Sequence, residues 1–207
     1  MKAFIYTGGT IYPEGITESP KGGDLCIAAD SGYRNALKLG VKIDILLGDF
    51  DSLGTPPPDK QLEILTVPAE KDFTDTQLAV QTALERGADD VVMIGGLSGR
   101  LDHTLSSLAI LEDLSLKKVH ALITDGHNRA RFLSSTSTLI PKSHFRYLSL
   151  IAVSERVRGV SIEGCKYPLK NATLERCYQY AVSNELCGNC ALISVRRGDD
   201  YVIESTD

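Results

Sequence analysis

Apolar residues in the first half of the chain fall in short unbroken runs, each ending near a glycine or an acid. The runs at 2–6, 25–29, 43–47, 62–67, 91–94 and 119–123 predict buried strands. Between them the spacing predicts helices over about 33–39, closed by Gly40, over about 75–86, stopped by Gly87, and on to about 113 after the glycine-rich stretch that starts at Gly95. Leu78, Ala79, Thr82 and Ala83 give the second helix its inward stripe, and Thr74 stands where its cap belongs. Nothing regular fits the stretch holding Pro13, Gly15, Pro20, Gly22 and Gly23, and Pro56, Pro57 and Pro58 forbid helix and mark a surface loop. Continuous apolar strands alternating with amphipathic helices predict a mostly parallel sheet covered on both faces.

From about Ser134 the pattern changes. Short β-rich runs at 138–140, 147–153, 158–162, 191–195 and 201–204, separated by turn residues, predict a small antiparallel sandwich. Two domains are expected, 1–133 and 134–207, the second small enough to need the first, or a second subunit, to pack against. No internal repeat or low-complexity segment interrupts them.

Ligands of parallel α/β sheets bind outside the carboxyl ends of the strands. Asp30, Asp49, Asp51 and the glycine-rich loop after Ile94 all fall at that edge. Asp49 and Asp51 are two residues apart at the end of a strand, so both can converge on one hard cation such as magnesium, with a phosphate ester completing its shell. The plainer alternative is a pair of turn residues. The loop Gly95, Gly96, Leu97, Ser98, Gly99, Arg100 has the glycine density of a phosphate cradle, without the spacing of a Walker A or dinucleotide motif. A tight turn after a buried strand accounts for the same glycines. Arg100 can clamp a phosphate bidentately, and Asp102 can orient Arg100 or a metal-bound water, or merely cap a helix. Asp72 and Asp75 stand three apart at a helix start, where any acid is favoured; Asp75 is the better third metal ligand. Ser183, Asn184 and Glu185 form a polar island that reads as a surface loop.

Composition narrows the classes. The 207 residues are 43% hydrophobic and 24% charged, an ordinary globular balance, and the net charge of -5 argues against non-specific nucleic-acid binding. A small anionic ligand would then need a metal to offset repulsion. No run is long enough to span a membrane and the start is too short for a signal-peptide core, so a cytoplasmic protein is expected. Cys26, Cys165, Cys177, Cys187 and Cys190 are odd in number and scattered, a poor disulfide framework. Cys187 and Cys190 have the spacing of half a zinc site, but no second pair of that spacing completes it. Of the four histidines, His103 alone lies in a candidate loop; His120, His127 and His144 read as incidental.

Four landmarks in order resemble the thiamine pyrophosphokinase family: Ala29-Asp30-Ser31-Gly32, Gly48-Asp49-Phe50-Asp51-Ser52, Asp72-Phe73-Thr74-Asp75, and the run from Gly95 that ends Gly99-Arg100-Leu101-Asp102-His103. Ser31 departs from the second glycine that many members carry. The resemblance implies a Rossmann-like three-layer catalytic domain binding ATP and magnesium, followed by a β-sandwich that binds thiamine. It implies transfer of the β,γ-diphosphoryl group of ATP to the thiamine hydroxyl, giving thiamine diphosphate and AMP. By match, Asp49, Asp51 and Asp75 hold Mg2+. Asp30 and Asp72 support the cluster or help deprotonate the hydroxyl, with Asp102 beside them. Gly96, Ser98, Gly99, Arg100 and His103 hold the nucleotide, and Ser183 and Asn184 contact thiamine. The family's thiamine site lies between two subunits, which implies a homodimer. The same acids would serve a metal-dependent phosphohydrolase using water, or a regulatory module that binds nucleotide without turnover.

Overall fold

The computed structural model describes residues 1–48, 62–66 and 72–207. Asp49, Asp51 and the three consecutive prolines therefore lie outside the described residues. The fold is mixed α/β, with a large, mostly parallel sheet and a separate antiparallel one. The chain divides into two compact units, Met1–Gly126 and His127–Asp207.

The first unit contains β1 (Lys2–Tyr6), β2 (Leu25–Ala29), α1 (Gly32–Lys38), β3 (Ile45–Gly48), β4 (Glu63–Thr66), α2 (Asp75–Glu85), β5 (Asp90–Ile94), α3 (Leu101–Leu116) and β6 (His120–Thr124). Its strands run in the order β4-β3-β2-β1-β5-β6. Every pairing among them is parallel. Both faces of the central strands are covered, which explains the unbroken apolar runs. In β1, Phe4 and Tyr6 join a buried cluster with Cys26, Ala28, Leu46, Val92, Ile94 and Ala36 of α1. The intervening Ala3 and Ile5 point the other way and are equally buried. Helix α2 turns Ala79, Val80 and Ala83 inward, and Thr74 caps it as expected. The Thr74 hydroxyl accepts from the Gln77 N–H at 3.2 Å, and the Gln77 side chain accepts from the Thr74 N–H at 2.9 Å. Such a reciprocal cap contributes about 1 kcal/mol.

The second unit is all β: β7 (Asn128–Ser134), β8 (Ser137–Pro141), β9 (Tyr147–Ala152), β10 (Arg156–Glu163), β11 (Leu169–Glu175), β12 (Cys190–Ser194) and β13 (Asp199–Ser205). Antiparallel pairing gives the orders β7-β13-β9 and β11-β10-β12-β8. Leu133, Leu148, Leu150 and Val202 of the first group share one buried cluster with Ile140, Val160, Ile162, Leu174 and Ile193 of the second. Strands β7 and β11 fall where the sequence pattern predicts none. All five cysteines are free thiols, with Cys177, Cys187 and Cys190 exposed.

Two polar residues interrupt the inward face of β13. Glu204 is 2% exposed and is held by Arg129 in two bonds of 2.9 and 2.8 Å and by Arg131 at 2.5 Å. Asp200 is fully buried between Leu133 and Ala152. Neither of its carboxyl oxygens has a hydrogen-bond partner among the described residues. Burial, then the nearby Asp199 charge, pushes the Asp200 carboxyl up to about 7.

Candidate active site

The crossovers from β1 run outward through β2 and β3 to β4, whereas β5 returns to the other edge of β1 and continues to β6. That reversal of strand order sets the topological switch point, where such sheets form their ligand crevice, at the carboxyl ends of β1 and β5. Asp30 follows β2 there in a left-handed conformation, φ 45°. The Asp30 N–H donates to Leu47 O at 2.7 Å, and its carbonyl accepts from the Tyr33 N–H at 3.1 Å, so it links the end of β3 to the first turn of α1. Gly32 makes that turn possible: a Cβ there would lie 2.0 Å from Tyr6 O. Gly48 ends β3 against Asp30, where a Cβ would sit 3.2 Å from the Asp30 Cα. Asp49 and Asp51 follow it in sequence, outside the described residues.

Across the crevice, Gly95 and Gly96 both have positive φ, 98° and 73°. Gly95 is buried and donates to Thr124 O at 2.8 Å, while the Gly96 N–H donates to Gly8 O at 3.0 Å. No side chain would fit at Gly95, because a Cβ would meet Thr7 O at 2.7 Å. Ser98 is tied to the β1 loop: its hydroxyl accepts from the Thr10 N–H at 2.7 Å and donates to Thr10 O at 3.3 Å. Gly99 is exposed and open on the side a Cβ would occupy.

Arg100, Asp102 and His103 stand exposed at the start of α3. Arg100 grips Asp102 with both arms of its guanidinium, at 3.1 and 2.5 Å, and the Asp102 carboxylate also accepts from the His103 N–H at 3.0 Å. The bonded guanidinium holds the Asp102 carboxyl below its ordinary range, and Asp102 raises Arg100 in turn. Of the roles read for Asp102, this geometry serves the orientation of Arg100. Asp72 and Asp75 flank the Thr74 cap, Asp72 exposed and Asp75 half-buried in the first turn of α2. The described residues hold no cluster of three metal donors. Carboxylates are nonetheless the oxygen donors that suit magnesium, and Gly48 delivers the chain to the crevice beside Asp30.

In the second unit Asn184 is buried rather than part of a surface loop. Its side-chain oxygen accepts from the N–H groups of Tyr167 and Glu185, both at 3.0 Å, and its amide donates to Tyr167 O at 2.8 Å. Ser183 precedes it at φ 56°, its N–H bonded to the Ser149 hydroxyl at 3.0 Å. The next two residues, Glu185 and Leu186, line a cavity of about 270 Å³ together with His144, Phe145 and Tyr147.

Sequence reading misses Asn35. It is 3% exposed, and its amide donates to Thr7 O at 2.8 Å and Gly9 O at 3.0 Å. Its place in the middle of a short helix gave no signal of that role, since both acceptors lie in a loop more than 25 residues away.

Two family models match the chain in order: "Thiamin pyrophosphokinase, catalytic domain" over residues 19–123 and "Thiamin pyrophosphokinase, vitamin B1 binding domain" over residues 136–198. A thiamine pyrophosphokinase of Bacillus subtilis (strain 168) is 31% identical over 189 residues, covering 88% of each chain. Thiamin pyrophosphokinase 1 of Caenorhabditis elegans is 26% identical over 172 residues, 77% of this chain and 70% of that one. Among solved structures, the thiamine pyrophosphokinase from Bacillus subtilis superposes with a TM-score of 0.86 at 27% identity, covering all of both chains. The thiamin pyrophosphokinase from Geobacillus thermodenitrificans gives 0.85 at 28% identity, covering 100% of this chain and 98% of that one.

Proposed function

The chain belongs to the thiamin pyrophosphokinase family, and from that premise we propose how its residues act as an ATP:thiamine diphosphotransferase. The observation that carries the reading is that Asp30 and the 95–99 glycine loop follow the carboxyl ends of β2 and β5, the two strands that flank β1, within the stretch matched by the catalytic model. Phosphoryl transfer needs alignment and charge neutralisation more than a covalent protein intermediate. The backbone of Gly96 and Gly99, with Ser98 and His103, seats the ATP phosphates, and Arg100 exchanges its grip on Asp102 for phosphate oxygens as the nucleotide enters. Asp30 and Asp72 orient the thiamine hydroxyl and take up its proton. Asp49, Asp51 and Asp75 would hold Mg2+, which when bound neutralises the phosphate charge. Ser183 contacts thiamine, and Asn184, its polar atoms spent on Tyr167, sets the shape of that segment.

The first unit acts as a Rossmann-like three-layer domain and the second as a β-sandwich, a reading supported by the core cluster that draws on both strand groups. The enzyme works as a homodimer. Which phosphorus is attacked is tested with ATP labelled separately at the β and γ positions. Both labels are expected in the thiamine product in equal amounts, with AMP accumulating beside it. Product carrying the γ label alone, with ADP released, would refute the assigned transfer.

A further inference from the structure

The loop between β1 and the first 3-10 turn, residues 7–10, lies outside the stretch matched by the catalytic model. All four of its carbonyls are turned toward neighbours in the fold. Thr7 O and Gly9 O accept from the Asn35 amide, Gly8 O accepts from the Gly96 N–H, and Thr10 O accepts from the Ser98 hydroxyl. Of its amides, Thr7 donates to Ile94 O at 2.9 Å and Thr10 to the Ser98 hydroxyl at 2.7 Å. The N–H groups between them, on Gly8 and Gly9, have no acceptor among the described residues. Gly8 is half-buried and Gly9 exposed.

Among the described residues, the loop's unpaired backbone groups are therefore both donors. Its φ turns positive, to 94°, at Gly9 and not at Gly8, and a change of sign between neighbours is what curls successive N–H groups around one anion. Side chains are kept out: a Cβ on Gly8 would lie 2.6 Å from the Ser31 hydroxyl, and one on Gly9 2.8 Å from the Ser98 hydroxyl. The residues assigned to the candidate site include several acids, Asp30 among them, in a chain of net charge -5. Neutral peptide dipoles can bind an anion there without forming ion pairs with those acids. We propose that the 7–10 loop is a phosphate-binding wall of the nucleotide site, with the Gly8 and Gly9 N–H groups as donors and Asn35 as the positioning residue that aims them.

The proposal rests on the function proposed above, because a nucleoside triphosphate is the ligand that brings phosphates to this crevice. Asn35 is used purely as a donor to two carbonyls, so aspartate in its place would set a carboxylate against both. The direct test is amide NMR of the full-length protein labelled with 15N-glycine, titrated with inorganic triphosphate and then with ATP, each with magnesium. The Gly8 and Gly9 amide protons are expected to move downfield with both ligands. Shifts confined to Gly95, Gly96 and Gly99, or no shifts at all, would overturn the proposal. In calorimetry, Asn35→Ala should weaken ATP binding about tenfold, the scale of a lost hydrogen bond or two, and leave thiamine binding unchanged. Asn35→Asp should weaken it further, and equal loss for both ligands would mean a merely structural role. Gly8 and Gly9 shifts in a protein that makes no thiamine diphosphate would uphold the phosphate wall and refute the reaction instead.

Discussion

Asp200 is the residue whose replacement should most improve stability. Its carboxyl is fully buried, both oxygens lack partners among the described residues, and its neighbours across the sheet are Leu133 and Ala152. Raising a carboxyl from 3.8 to about 7 on folding corresponds to roughly 4 kcal/mol. The sign follows from proton counts: between those values the unfolded chain has lost the proton and the folded chain still binds it. The stability of the neutral form is therefore fully present below about pH 4, falls as pH rises toward 7, and stays low above it. Asp200→Val removes both the titration and the unpaired oxygens in a side chain suited to a strand. We expect it to stabilise the protein by about 2 to 4 kcal/mol at pH 8, and by much less at pH 5. Asp200→Asn, which keeps unpaired polar atoms but no charge, should gain less and should flatten the same pH dependence. Urea unfolding followed by circular dichroism from pH 5 to 8 reads both, through the midpoint at constant slope. A Val variant no more stable than wild type at pH 8, or a gain that does not grow with pH, would refute the assignment of an unpaired charge in the core.

Asp49→Asn or Asp51→Asn should leave the melting temperature nearly unchanged and abolish magnesium-dependent turnover in a coupled AMP assay; retained activity would sink their role as metal ligands. Gly32→Ala forces a Cβ to within 2.0 Å of Tyr6 O, an overlap with backbone that should cost about 3 kcal/mol in thermal unfolding. An unchanged melting temperature would show that the start of α1 can shift freely. Changing both Cys187 and Cys190 to serine should leave activity within a few-fold, as steady-state kinetics would show, because both thiols are free and exposed.

The parallel half of the fold is legible because its strands are buried on both faces and need no partner to be recognised: the runs at 25–29 and 91–94 could hardly be anything else. Strand β7 is hidden by Arg129 and Arg131, which pattern reading places in solvent. Arg129 is in fact buried, and the Glu204 that holds it lies 75 residues away. Strand β11 buries little beyond Leu174 and so carries almost no alternation. Within the candidate site, Asp30 and the glycine loop are visible because their chemistry is local, a strand end followed by a helix start. Asn35 and the 7–10 loop are not, since Asn35 serves carbonyls 28 and 26 residues upstream, and the loop's other partners, Gly96 and Ser98, come from the far side of β1 and up to 88 residues downstream. Asp200 is invisible for the opposite reason: an acid near the end of a chain ordinarily signals exposure, and only the register of β13 puts it inside.

The central place of β1 also bears on how the chain is made. Its first edge is satisfied once β2 has emerged, because Ala3 pairs with Leu25, but its second waits for β5, where Lys2 meets Asp90 and Tyr6 meets Ile94. During synthesis, β1, β2, β3 and β4 can assemble while the free edge of β1 stays open to any strand that arrives. The loop that holds Gly8 and Gly9 is held by Asn35 alone for the same interval, since Gly96 and Ser98 tie down its other side only after β5 has docked. Arrival of β5 would thus be the event that joins the two halves of the sheet and completes the crevice, so a chain stalled before residue 90 would carry a sticky four-strand fragment unable to grip a nucleotide.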